Sequence, residues 1–111
     1  MKYTLTYQKI TVGTIEQNAA DFPNLWGTYQ LDLNAVNLVP MLKAFIDYSV
    51  RAYELMETGQ ELWVKSIEEE EWKYQDIIDS EEWELIDDQK QLHGILVPNF
   101  QTHNEIVWRW S

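Results

Sequence analysis

Residues 67–88, IEEEEWKYQDIIDSEEWELIDD, crowd carboxylates and two tryptophans around one lysine. Carboxylates can ligate hard cations, move protons or attract a basic surface, so the four consecutive glutamates are the first candidates for chemistry. A helix disperses them, because it turns about 100° per residue. With Ile67 at the centre of a buried stripe shared by Trp63, Tyr74 and Ile78, Glu70 and Glu71 flank that stripe while Glu68 and Glu69 face outward. The run forms no four-carboxylate cage. It reads first as a solvated helix surface, with acids near a positive N-terminal dipole and Glu69–Lys73 as an i,i+4 pair. Trp72 breaks the pattern, falling about 140° from the stripe among Glu68, Asp76 and Asp79. Exposing an indole forgoes roughly 1.5–3 kcal/mol of burial. Either it packs beneath another segment, such as Pro98–Asn104, or it is an aromatic anchor in an acidic surface, as at the centres of protein interfaces. The second option makes Glu68, Glu69, Trp72, Asp76 and Asp79 a partner-binding set for a basic protein, whose association the charges would speed.

Other constellations are weaker. Glu69, Asp76 and Asp79 share a helix face that could hold Mg²⁺ or Ca²⁺, but Lys65 and Lys73 intrude and no Glu-x-x-His pair exists, so no metal or cofactor is expected. His93 and His103 could meet across a C-terminal hairpin, with Glu105 beside them; a rim or loop role is the more ordinary reading. No serine lies in a nucleophile elbow and the glycines stand apart, which leaves no catalytic residue assigned and no phosphate loop. Trp108 and Trp110 share a strand face, but base stacking needs accompanying cations and only Arg109 is near, so a core role is favoured. The alternative to partner binding is a small enzyme or ligand-binding domain with an aromatic cleft between sheet and helices, lined by Trp26, Tyr29, Trp108 and His93.

Charge narrows the partners. The net −11 is unevenly placed: residues 54–88 hold 14 of the 19 acids against Lys65 and Lys73, while the remainder is nearly neutral. Phosphates would be repelled, which argues against nucleic acid and anionic membranes. Cysteine is absent, removing disulfides and thiolate chemistry. The opening MKYTLTYQKI alternates rather than forming an apolar signal segment, and no run reaches the roughly 18 apolar residues of a span. A cytoplasmic protein is the expectation.

These residues need a scaffold. Tyr3, Leu5 and Tyr7 alternate with polar residues, Val12–Ile15 continues as a second strand after a turn near Lys9–Thr11, and Trp26–Leu33 alternates as a third. Gln17–Asp21 reads as loop, and Pro23 keeps Phe22 extended. Helical spacing runs from about Asn34–Val39, with Pro40 in a first turn, to a stop at Gly59. A second helix starts at Glu61, or at Ser66 by its S-x-x-E capping box, and continues to about Asp79. Trp83–Ile86, Leu92–Val97 and Glu105–Trp110 read as closing strands, with Pro98–Asn104 as loop. The order βββ-αα-βββ spells one α+β domain over residues 1–111, an antiparallel sheet with a two-helix hairpin on one face. An exposed edge strand or aromatic patch could also support a homodimer.

Gly13-Thr14-Ile15, Asp21-Phe22-Pro23 and Trp26-Gly27, followed by an apolar helix after Pro40, resemble a group of small uncharacterised bacterial α+β proteins with an Asp-Phe-Pro segment. The likeness covers about the first half of the chain. Asn24 and Leu25 separate Pro23 from Trp26, where that group often has an aromatic directly after proline. It implies an α+β fold and structural roles for Phe22, Pro23 and Gly27, and carries no catalytic residue across.

Overall fold

The N-terminal alternation of apolar and polar residues becomes three consecutive antiparallel strands in the computed structural model, which describes all residues from Met1 to Ser111. These are β1 (Lys2–Tyr7), β2 (Ile10–Asp21) and β3 (Asn24–Leu31). Gln8 and Lys9 both take positive φ in the β1–β2 turn, the backbone that matches the twist of a two-residue hairpin. β2 runs on through Gln17–Asp21, where a loop was expected. Its residues are poor strand formers, yet Ala19 pairs with Trp26 and Ala20 with Leu25, so the partner strand overrides local preference. A turn with a cis Phe22–Pro23 peptide joins the two arms.

After β3 come a single turn, α1 (Leu33–Val36), and the long helix α2 (Pro40–Thr58), with Pro40 in its first turn. Gly59 closes α2 and opens α3 (Gln60–Glu70). Ser66 is therefore inside α3 and caps nothing; its Oγ–H donates to Glu70 Oε2 at 3.2 Å. The second helix is not continuous to Asp79. At Glu70 it tightens into a 3₁₀ turn (Glu71–Tyr74), then resumes as the short α4 (Gln75–Ile78).

Four strands, not three, complete the chain: β4 (Trp83–Ile86), β5 (Leu92–Gly94), β6 (Asn99–Phe100) and β7 (Glu105–Trp108). β6 occupies the segment expected to be only loop. All seven form one antiparallel sheet in the order β5-β4-β1-β2-β3-β7-β6. The fold is α+β with the helical middle between the two strand groups, as the sequence order required.

The sheet curls strongly. Tyr3 on β1 and Trp108 on β7 are three strand spacings apart, about 14 Å if flat, yet their ring centroids lie 6.5 Å apart. The two ends also meet: Ile95 bridges Trp110, Leu96 N–H donates to Arg109 O (3.0 Å), and Ser111 N–H donates to Gly94 O (3.1 Å). Inside the curl, Tyr3, Leu5, Tyr7, Ile15, Trp83, Leu85, Phe100, Ile106 and Trp108 meet Leu42, Phe45, Ile46 and Tyr48 of α2 in one core. Ser49 fastens α2 to β6, its Oγ accepting from Phe100 N–H and donating to Phe100 O, both at 2.9 Å. That leaves less bare edge for pairing with another chain. α3 lies on α2 and not on the sheet. No helix is long and apolar enough to cross a membrane.

Candidate functional site

Tertiary burial in the second helical stretch follows a different phase from a straight helix. Ser66, Tyr74 and Ile77 are buried, while Ile67, the expected centre of the stripe, and Ile78 are only partly covered. Past Glu70 the cause is the 3₁₀ turn, which Ser66 and Ile67 precede. Its three residues per turn and the departures at Glu70 (φ −120°) and Tyr74 (φ −113°, ψ 13°) rotate everything downstream. The same break takes Lys73 off the i,i+4 ladder, and Glu69 instead faces Lys65 at 3.9 Å.

The five residues of the acidic surface nevertheless all reach solvent: Glu68, Glu69, Trp72, Asp76 and Asp79 are exposed. Trp72 does not pack under Pro98–Asn104. Its side chain is 67% exposed, and its Nε1–H donates to Glu69 O at 2.9 Å, which ties the ring to the end of α3. One turn on, Gln75 Nε2–H donates to both carboxylate oxygens of Asp79 at 3.0 Å. The structure thus joins Glu69 to Trp72 directly and sets Asp76 on the following short helix with Asp79 at its C-cap. No three His, Asp or Glu side chains converge as a metal site would require.

The expected aromatic cleft does not form from its four residues. Trp26 pairs with Val107 and points to the opposite sheet face from its neighbours Leu25 and Gly27. Trp108 is buried in the core, and Tyr29 meets Phe100 edge-on at 5.2 Å. His93 turns elsewhere, its Nε2 lying 2.8 Å from Asp87 Oδ2 and its ring 5.7 Å from Trp110. His93 and His103 are not neighbours either. His93 lies against Asp87 and Trp110, whereas His103 sits beside Lys2, Thr14 and Tyr29. Trp108 and Trp110 do share a face, both meeting Tyr3 edge-on at 6.5 and 6.0 Å, but the first is core and the second stays exposed beyond β7.

Two features escaped the sequence reading. Asp87 is a built carboxylate: Oδ1 accepts from Gln89 N–H and Gln91 N–H at 2.9 Å each, and Oδ2 faces His93. These bonds, His93 first, hold its carboxyl below the usual range. An Asx turn at Asp87-Asp88-Gln89 was the available signal. The second is a cavity of about 250 Å³ between α2, α3 and the Val97–Asn99 segment. No local pattern announced it, since its walls come from three parts of the chain.

The segments named by the resemblance divide. A Cβ on Gly27 would collide with Glu16 O across the β2–β3 pair, so glycine is required there. Phe22 is 97% exposed at the hairpin tip and packs into nothing. Comparison of the chain with protein-family models, with curated proteins and with solved structures gave no match.

Proposed function

We propose that this chain is an acidic binding module that takes a basic protein partner on the outer surface of α3 and the turns after it, as an immunity or antitoxin-like protein masks a cationic enzyme. The observation that carries the reading is Trp72: a large ring left 67% exposed, pinned through its own N–H, in a surface of open carboxylates. A ring held in place loses little side-chain freedom on docking, and its apolar area is free to be covered. Glu68, Glu69, Asp76 and Asp79 supply the field that steers a positive surface toward it.

The test is capture from extract of the source cells at low and at high salt. The wild-type chain should retain a basic protein at low salt and release it at high salt. The Glu69→Lys/Asp76→Lys protein should lose that retention through slower association, and Trp72→Ala through faster dissociation. The same proteins retained by wild type and both variants would refute the assignment. A homodimer would show instead as a concentration-dependent mass in the absence of any extract.

A further inference from the structure

The cavity between α2 and α3 has a wall chemistry of its own. Phe45, Tyr48, Tyr53 and Trp63 line it with aromatic surface, and Glu71 is the only charged group in that lining. Its 250 Å³ is roughly eight waters' worth of liquid volume, enough for a small organic molecule. Glu71 makes no ion pair or side-chain hydrogen bond. The cation next to this region, Arg51, is taken by Glu70 at 2.8 Å, and Ser66 also donates to Glu70. One carboxylate is therefore satisfied behind the wall while its neighbour in the wall is uncompensated. Burial first, then Glu71 and Glu70, push the Tyr48 phenol up to about 12; its ring is buried and stacked on Tyr74 at 5.2 Å, so Tyr53 and Trp63, both only partly covered, supply the open aromatic surface.

Aromatic faces attract cations, and an unpaired carboxylate in a partly desolvated wall attracts them further. We infer that this cavity binds a small organic cation, an ammonium or guanidinium group on an apolar tail, with Glu71 as counter-ion and Tyr53 and Trp63 as the aromatic walls. Anions are excluded by the same charge, and a neutral ligand would gain only the apolar contacts. The inference does not rest on the partner reading, since none of Glu68, Glu69, Trp72, Asp76 and Asp79 lines the cavity.

Three probes of similar size test it on the intact chain by NMR titration: 2-phenylethylammonium, neutral 2-phenylethanol and anionic phenylacetate. The cation should bind roughly tenfold more tightly than the alcohol, shifting the Trp63 indole and Ile67 methyl signals, and phenylacetate should not bind. Glu71→Gln should cut most of the cation's advantage over the alcohol, leaving the smaller preference the aromatic faces supply, and Ala52→Trp, which fills the space, should abolish binding of both. Equal binding of cation and alcohol by the wild-type chain, cation binding unaltered by Glu71→Gln, or no cation binding at millimolar concentration would each overturn the inference. A capped lysine dipeptide that outbinds the free amine would also overturn it, assigning the cavity to a protein side chain instead.

Discussion

α2 and α3 are joined at Gly59 and lie against each other, yet they are held in opposite ways. α2 buries Leu42, Phe45, Ile46 and Tyr48 in the hollow of a curled sheet. α3 packs chiefly on α2 and the turn that follows it, and buries only Ser66, leaving Leu62 and Val64 in solvent. Both sequences are amphipathic, so periodicity does not separate them. What separates them is what stands opposite: a sheet that wraps around one helix and runs out before reaching the other. Thin packing is also where the molecule has room, and both the cavity and the open acidic surface belong to the α3 side. Binding surfaces are commonly drawn from the less stable parts of a fold.

The largest expected effect contrasts the two layers directly. Trp83 is fully buried, contacts the rings of Tyr7, Phe45 and Phe100, and donates its Nε1–H to Ile77 O at 3.2 Å. Trp83→Ala should cost about 3–5 kcal/mol in urea denaturation. Leu62→Ala, on the exposed side of α3, should stay within about 0.5 kcal/mol of wild type. Similar losses for both would mean that α3 is as deeply integrated as the sheet, and the contrast would be gone.

Glycines sharpen the same comparison. At Gly27 the β2 backbone is so close that Ala must displace Glu16, and overpacking of this kind costs about 1–3 kcal/mol. At Gly59 an added Cβ meets only Leu62 Cδ1, 4.0 Å away, and the backbone is extended at φ −175°. Gly59→Ala should therefore stabilise by about 0.4–1 kcal/mol, through a less free unfolded chain. Opposite signs in thermal melts are the expected result; a loss at Gly59 would show that the α2–α3 junction needs glycine for a reason other than space.

This division also marks how far the sequence could be read. Strand alternation at Tyr3, Leu5 and Tyr7 found β1, and Pro40 and Gly59 bracketed α2, because each signal is local. The β2 arm through Ala19–Asp21, the strand at Asn99–Phe100 and the curl itself depend on pairing with distant segments, so nothing local declares them. Exposure of Trp72 was legible as one of two options from its angle to the apolar residues. The face geometry downstream of it was not, because a 3₁₀ turn within a run of glutamates leaves no mark in hydrophobic spacing.

The smallest contrast sets one built carboxylate on the sheet side against the open ones on the helices. Asp87 closes the β4–β5 hairpin by accepting from two backbone N–H groups and facing His93, bonds that favour its ionised form and lower its pKa in the folded chain. A carboxyl with a lowered folded-state pKa adds stability above its unfolded value, and that contribution is lost as pH falls through the folded value. Asp87→Asn should therefore be less stable than wild type at neutral pH, with the gap closing on acidification from about pH 5 downward. Thermal melts of the two proteins across that range measure it. A gap that persists unchanged in acid would mean that the carboxylate's charge contributes nothing and that Asp87 acts only as a neutral acceptor in the turn, a role Asn would fill incompletely at every pH.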